Sequence, residues 1–340
     1  MILKAKSEFV LLLLALPFAV FARRLKPEVE HAMAYGAEAK ICLKVCDDVG
    51  QPVTNASVAV VFDMLPRPYS VYGKTDSNGI CVAEGKTNGN KIRFLVGKDG
   101  YYGSQKEVSY VTMNEEHDVK AGKWQPYAAE EVIVLRAIRH PAKLASELFW
   151  NFKYTKSINK WIGYDIQEND FVAPDGKGKI ADFEVYIDWN GEWLPAYRGM
   201  AVKIRFAEPL CGYYTYDINQ ASEFKYPYEA APDLVDSTGA EFSERILDDG
   251  RRIQKHFDLG KCWVVRSRCK VSPDGRLLSA NYSVIYDIVF TCKRGGYGGF
   301  CVTGAFNPTP NDTNLEDEEF AKQSRHFIRY CEPPGKGNLK

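Results

Sequence analysis

Ala39-Lys40-Ile41-Cys42-Leu43-Lys44-Val45-Cys46 alternates between two kinds of residue. Side chains two apart share a face of a strand, so Ile41, Leu43 and Val45 predict one buried face and Cys42, Lys44 and Cys46 the other. Asp47-Asp48-Val49-Gly50-Gln51-Pro52 follows as a turn, with Gly50 free to take a positive φ and Pro52 fixing its own. Ala56–Met64 resumes the alternation, with Val58, Val60 and Phe62 on one side. Thr75-Asp76-Ser77-Asn78-Gly79 is a second turn, and Ile80–Ala83, Lys91–Val96, Lys106–Val111 and Glu131–Ala137 supply more strands. Short strands at this spacing, with no convincing helix among them, predict a β-sandwich over residues 37–138.

Three motifs in this stretch carry a family resemblance. They are Val45-x-Asp47-x-x-Gly50-x-Pro52-Val53-x-x-Ala56-x-Val58, then Gly73-Lys74-Thr75-Asp76-Ser77-Asn78-Gly79, then Lys98-Asp99-Gly100-Tyr101-Tyr102. In order and spacing they resemble the carboxypeptidase regulatory-like domain, although Cys46 sits where that family's pattern is loose. The resemblance implies a transthyretin-like, seven-stranded Greek-key sandwich that acts as a spacer, scaffold or docking module and brings no catalytic residues. Asp76 and Gly79 read as turn-formers rather than as a calcium site.

The boundary of the first unit is placed near Arg139, because Pro141 discourages continued regular structure. The second unit, 141–331, is predicted to be mostly antiparallel β. Lys179–Asp188 alternates, with Phe183, Val185 and Ile187 on one face, and Trp189-Asn190-Gly191-Glu192 reads as an Asn-Gly hairpin turn. Ala201–Phe206, Lys261–Cys269, Asn281–Thr291 and Phe300–Phe306 are further strands, the middle two joined across Ser272-Pro273-Asp274-Gly275. A short C-terminal helix is expected with Asn314 as its cap, Glu316 to Glu319 in its first turn, and Lys322, Arg325 and His326 in its last. Residues 332–340 are expected to form a flexible tail.

The second unit also resembles a β-rich region of uncharacterised exported bacterial proteins. Gly163-Tyr164-Asp165, Asp170-Phe171-Val172-Ala173-Pro174-x-Gly176-Lys177-Gly178, Ala280-Asn281-Tyr282 and Phe306 to Glu316 carry that likeness. It implies no activity. A bacterial source would make the Asn55, Asn281 and Asn311 glycosylation sequons incidental.

At its N-terminus the chain carries an address. Lys4 and Lys6 precede an apolar run of about 12 residues, Phe9 to Val20, closed by Val20-Phe21-Ala22. This pattern predicts a signal peptide, residues 1–22, cleaved after Ala22; a span would need about 20 apolar residues. The rival is an uncleaved anchor. The expected destination is periplasmic or extracellular, with no membrane span after cleavage. In 340 residues, 44 basic groups balance 44 acidic ones, which gives no reason to expect a nucleic-acid partner.

Export makes disulfides possible among the nine cysteines, an odd number that leaves at least one unpaired within the chain. Strand alternation puts Cys81 on the outer face of Ile80–Val82 and suggests a bridge to Cys42 or Cys46. Symmetric folding about Gly296-Tyr297 suggests a second bridge, Cys292–Cys301. Buried free thiols are the alternative to both. No C-x2-C pair and no histidine at ligand spacing marks a metal site, and no cofactor is predicted.

No nucleophile elbow, zinc-protease helix, Walker loop or dinucleotide fingerprint is present. Gly295 to Gly299 reads as a hairpin rather than a phosphate cradle, since no helix is expected after it. Among the carboxylates Asp165, Asp170, Asp182, Asp188 and Glu192, nothing singles out an acid–base pair. The binding candidate is Asp188, Trp189, Asn190, Glu192 and Trp193, two tryptophans that could stack a sugar beside groups able to bond its hydroxyls. The bland alternative is that both tryptophans cap the core. Tyr213, Tyr214, Tyr216, Tyr226 and Tyr228 are open to the same two readings. The expected function is a non-enzymatic exported scaffold or interaction protein, its partner an unknown protein or a glycan. A carbohydrate-binding protein and a carboxylate-pair hydrolase are the alternatives.

Overall fold

A computed structural model describes residues 25–333 except 65, 90, 112–117, 190–198, 219–220, 236–237 and 248. The expected leader and the tail beyond residue 333 lie outside the described residues. The described residues are all-β apart from two short α-helices and two short 3-10 turns.

The chain enters through helix α1 (Pro27–Tyr35), which the sequence reading lacks. Pro27 opens it, Glu28 and Glu30 fill its first turn, and Gly36 ends it, while Val29 and Ala32 drop into the core. Strands β1 (Ala37–Asp47), β2 (Ser57–Phe62), β3 (Tyr69–Lys74), β4 (Ile80–Thr87), β5 (Ile92–Gly97) and β6 (Ser104–Val108) follow. A two-residue pair, β7 (Val119–Lys120) and β8 (Lys123–Trp124), precedes β9 (Ala129–Leu135). One sheet runs β3-β2-β5-β6, all antiparallel. In the other, β1 lies between antiparallel β4 and parallel β9, with β8 beside its start. Ile41, Leu43 and Val45 meet Val58, Val60, Phe62, Phe94 and Val96 in one core, as the alternation requires.

That register overturns the first cysteine pairing. Cys81 lies directly opposite Leu43, so its sulfur shares the core face, whereas Cys42 and Cys46 are on the outer face of β1. The period of two read from Ile80–Val82 was right; its phase was inverted, because three residues do not fix which face is buried.

The second unit begins with β10 (Ala145–Glu147), β11 (Lys153–Thr155), β12 (Trp161–Asp165), β13 (Asp170–Phe171), β14 (Phe183–Asp188) and β15 (Gly199–Arg205). Next come β16 (Gly212–Asp217), β17 (Gly239–Ile246), β18 (Arg252–Lys255), β19 (Lys261–Val271), β20 (Leu277–Lys293) and β21 (Tyr297–Asn307), and then α2 (Glu318–Phe327). An outer sheet, β13-β12-β14-β15-β17-β18, faces a central sheet, β10-β21-β20-β19-β16, whose β21 also pairs with β11. The core between them is strongly aromatic: Tyr164 meets Phe300 edge-on at 5.0 Å, and Tyr213 stacks on Trp263 at 3.8 Å.

Lys293 pairs with Tyr297, so the glycine hairpin turns at Arg294 to Gly296, with Gly295 and Gly296 at positive φ. Cys292 therefore faces Gly298, not Cys301. Cys292 packs toward the aromatic core, whereas the Cys301 sulfur, on the opposite face, accepts a bond from the Asn151 amide at 3.2 Å. The expected Cys292–Cys301 bridge is excluded by that geometry. The helix cap also moves: Asp317, not Asn314, accepts from the Glu319 amide, and Glu316 lies buried before the helix.

The other face of the central sheet is covered by the segment after β16, by α2 and by Tyr102 of the first sandwich, forming a third core. Arg136, at the end of β9, sits inside this seam. Its guanidinium lies 4.8 Å from the Phe224 ring centre and 4.3 Å from that of Tyr228, and it donates to the carbonyls of Phe224 (3.1 Å) and Tyr226. Glu316 accepts from the Tyr102 hydroxyl at 2.8 Å and from the amides of Arg139 (2.8 Å) and His140 (2.5 Å). Gly103 lets α2 approach, because a Cβ there would lie 2.4 Å from the Phe327 ring.

Arg136→Ala opens this seam and leaves two carbonyls unpaired. The expected cost is about 2–4 kcal/mol, with calorimetry showing two transitions where the unaltered chain shows one. A single transition of unchanged midpoint would mean that the seam does not couple the two units.

Candidate functional site

The tryptophan turn comes first. Trp189 directly follows β14 and is 2% exposed, within the aromatic core. Asn159 clamps its backbone, donating to the Trp189 carbonyl at 2.8 Å and accepting from its amide at 3.2 Å. Trp189 therefore presents no ring face to a ligand, which corrects its assignment as a stacking residue. Asp188 is partly exposed and pairs with Arg245 at 3.4 Å. Asn190, Glu192 and Trp193 lie outside the described residues. The tyrosine group divides: Tyr213 is in the aromatic core, Tyr214, Tyr226 and Tyr228 belong to the seam, and Tyr216 is partly exposed.

Asp165 and Asp182 come together around Arg268, which reaches Asp165 at 2.8 Å and Asp182 at 2.9 Å. Both carboxylates are buried, and the surrounding chain uses their oxygens. Asp165 accepts from the amides of Glu168, Lys179 and Ile180, and Asp182 from the Ser267 hydroxyl and the Ile166 amide. Asp170 accepts from the amide of Lys177 across the same loop. The arrangement ties the 165–180 loop to β19 and leaves no free carboxylate pair facing solvent. Arg268 reaches it from a β-bulge, at φ +52°. Burial pushes the Asp182 pKa up, against the pull of Arg268.

A different surface has the exposure that the tryptophan turn lacks. Between β10 and β11, Phe149 is 78% exposed and Trp150 65% exposed. The loop is pinned beneath them. The Trp150 indole donates to Asp287 at 3.1 Å, the Asn151 amide group to Glu147 at 3.1 Å, and the Asn169 amide group to Glu147 at 3.2 Å. A register shift between Ile285 and Asp287 marks an irregularity in β20 just where Asp287 meets the indole, and burial raises the pKa of that carboxyl. Tyr154, on β11, lies over Gly299, where a Cβ would lie 2.7 Å from its ring, and Lys293 stands 3.9 Å from the same ring centre. Flat apolar faces beside carboxylates and an amide can stack a planar or ring-shaped ligand and bond its polar edge. In the sequence, Phe149-Trp150-Asn151-Phe152 carries no period that would separate it from core.

A cavity of about 470 Å³ lies at the seam, lined by Arg139, His140, Tyr228, Glu229, Asn314 and Glu316. Arg139 stacks on Tyr228 and pairs with Asp48, and Asn314 bonds the His140 carbonyl, so much of its lining is already engaged in holding the two units together. Among the described residues, no group of three or more His, Cys, Asp or Glu side chains is placed to hold a metal ion. No described helix is long and apolar enough to cross a membrane.

No family model and no curated protein matches the chain. Among solved structures, a 3-chlorocatechol 1,2-dioxygenase from Rhodococcus opacus 1CP is similar over 31% of this chain and 61% of its own, at 11% identity and a TM-score of 0.24. A hydroxyquinol 1,2-dioxygenase from Pseudomonas putida DLL-E4 is similar over 30% of this chain and 57% of its own, at 17% identity and a TM-score of 0.23. A DUF3823 family protein from Parabacteroides merdae ATCC 43184 aligns with 80% of this chain and 96% of its own, at 6% identity and a TM-score of 0.19. The chain thus spans about 60% of the two dioxygenases. Likenesses this slight carry no functional argument.

Arg268→Met strands two buried carboxylates and should cost about 3–5 kcal/mol at neutral pH. Without the guanidinium, Asp182 is held further above its unfolded value. Its contribution to stability is then fullest below the ordinary carboxylate range and lost as pH rises. Urea unfolding should therefore show the deficit shrinking from about pH 8 toward about pH 5; a pH-independent deficit would contradict this assignment.

Proposed function

We propose that the protein is exported and works by contact rather than by chemistry: a non-enzymatic scaffold in which the first sandwich braces the second and the second presents the Phe149–Trp150 loop. The observation that carries this reading is the pair of large aromatic side chains exposed together on a loop whose backbone and polar groups are pinned. Exposed apolar patches of this kind commonly mark interaction sites. The resemblance of residues 37–138 to the carboxypeptidase regulatory-like domain supports the bracing role, and the seam through Arg136 and Glu316 supplies the rigidity. The hydrolase reading gains no support from Asp165 and Asp182, whose oxygens are taken up by Arg268 and the backbone.

A second reading, glycan binding, is favoured by one feature. The exposed Trp150 indole is held by Asp287, with Glu147 and Asn151 beside it. It replaces Trp189 as the stacking ring.

Both readings are tested at the same residues. Phe149→Ala should leave the melting temperature nearly unchanged, because its side chain is exposed, and Trp150→Ala should lower it only slightly, through loss of the bond to Asp287. On the glycan reading, soluble glycans quench tryptophan fluorescence of the unaltered chain and Trp150→Ala loses the response. On the protein-contact reading, a photo-crosslinking residue at position 149 gives one discrete adduct in the producing cell. Absence of both responses would remove the loop as the working surface. N-terminal sequencing tests export separately: exported material should begin at Arg23, and a cytosolic chain beginning at Met1 would refute it.

A further inference from the structure

Cys211 and Cys269 attract no notice in the sequence, being 58 positions apart and belonging to no motif. The fold brings them together. Gly212 pairs with Arg266 at the start of β16, so the next residue outward, Cys211, approaches the end of that ladder. There β19 departs from regular register between Ser267 and Lys270. The irregularity carries Cys269 toward Cys211, and both side chains pack in the same aromatic core, Cys211 within it and Cys269 at its margin. Both flanks are fixed. Arg266 donates to the Leu210 carbonyl at 2.6 Å and to the Pro232 carbonyl at 2.9 Å, holding the chain just before Cys211. Arg268, just before Cys269, is locked by Asp165 and Asp182. Each cysteine follows a non-glycine residue at positive φ, Leu210 at +63° and Arg268 at +52°, a conformation that persists only where the surroundings enforce it. Cys211 is 3% exposed, whereas Cys269 keeps some access to solvent.

We infer that Cys211 and Cys269 form a disulfide that staples β16 to the irregular end of β19. The oxidant is a low-molecular-weight or protein disulfide. The Cys269 thiolate, its proton lost to water, attacks one sulfur of that disulfide and expels the other as a thiolate. The Cys211 thiolate then attacks the Cys269 sulfur and expels the second half. Two protein thiols and one disulfide thus become one protein disulfide and two small thiols. The link would hold the bulge that aims Arg268 at its two carboxylates, and it replaces the pairings Cys81–Cys42, Cys81–Cys46 and Cys292–Cys301, whose side chains face apart.

The test uses the purified, unmutated chain and oxidised glutathione, so it does not depend on export or on a variant folding. After incubation the protein is denatured, free thiols are alkylated, and the chain is digested with trypsin without reduction. Cleavage after Arg205, Lys225, Arg268 and Lys270 releases Cys211 in the peptide 206–225 and Cys269 in a dipeptide with Lys270. The expected product is these two joined, with Cys262 alkylated. Reduction should lower the melting temperature by roughly 5–10 °C, and Cys269→Ser should abolish that dependence. Recovery of Cys211 and Cys269 alkylated, or each singly glutathionylated, would overturn the inference.

Discussion

Glu316 is the carboxylate on which the relation of the two sandwiches depends. A buried carboxyl left without partners is costly, and this one takes a bond from the Tyr102 hydroxyl of the first unit and two from the backbone of the Arg139-His140 connection. Arg136 makes the reciprocal arrangement with cation and carbonyl, its guanidinium enclosed by Phe224 and Tyr228. An apolar seam alone could slide. Directional bonds to buried charges fix one relative placement, because any other leaves a charge or a carbonyl unpaired in a low-dielectric interior.

The same logic recurs inside the second sandwich. Asp165, Asp182 and Arg268 form a buried ionic group whose remaining valences are filled by amides and by Ser267. Such groups add little net stability over apolar packing, but they are costly to break, so they select one conformation of the chain around them. Here they select the 165–180 loop and the bulge of β19. Carboxylates so occupied are structural elements, and the large exposed aromatic side chains lie elsewhere, at Phe149 and Trp150.

Period-two alternation was legible wherever one face of a strand met a core. Ile41, Leu43 and Val45 occupy the positions their spacing requires, and β14, β15, β19, β20 and β21 fall close to their expected bounds. Phase was harder than period. Cys81 was assigned to the wrong face because a three-residue alternation is symmetric until a partner strand is known, and Cys292 missed Cys301 because the turn lies nearer Lys293 than the glycines alone suggested. Helix α1 escaped because nine residues ahead of a strand give little period to detect. Trp189 and Trp150 show the same limit at the site: both stand near turns beside polar residues, yet one fills the core and the other projects from it.

Local sequence determined the all-β class, most strand positions and the turns, since these depend on neighbours within a few residues. Tertiary structure alone decided which tryptophan is exposed, which carboxylates are occupied and which cysteines meet. Those outcomes depend on register between distant strands and on bulges at Asp287 and Arg268, where a single inserted residue redirects every side chain that follows.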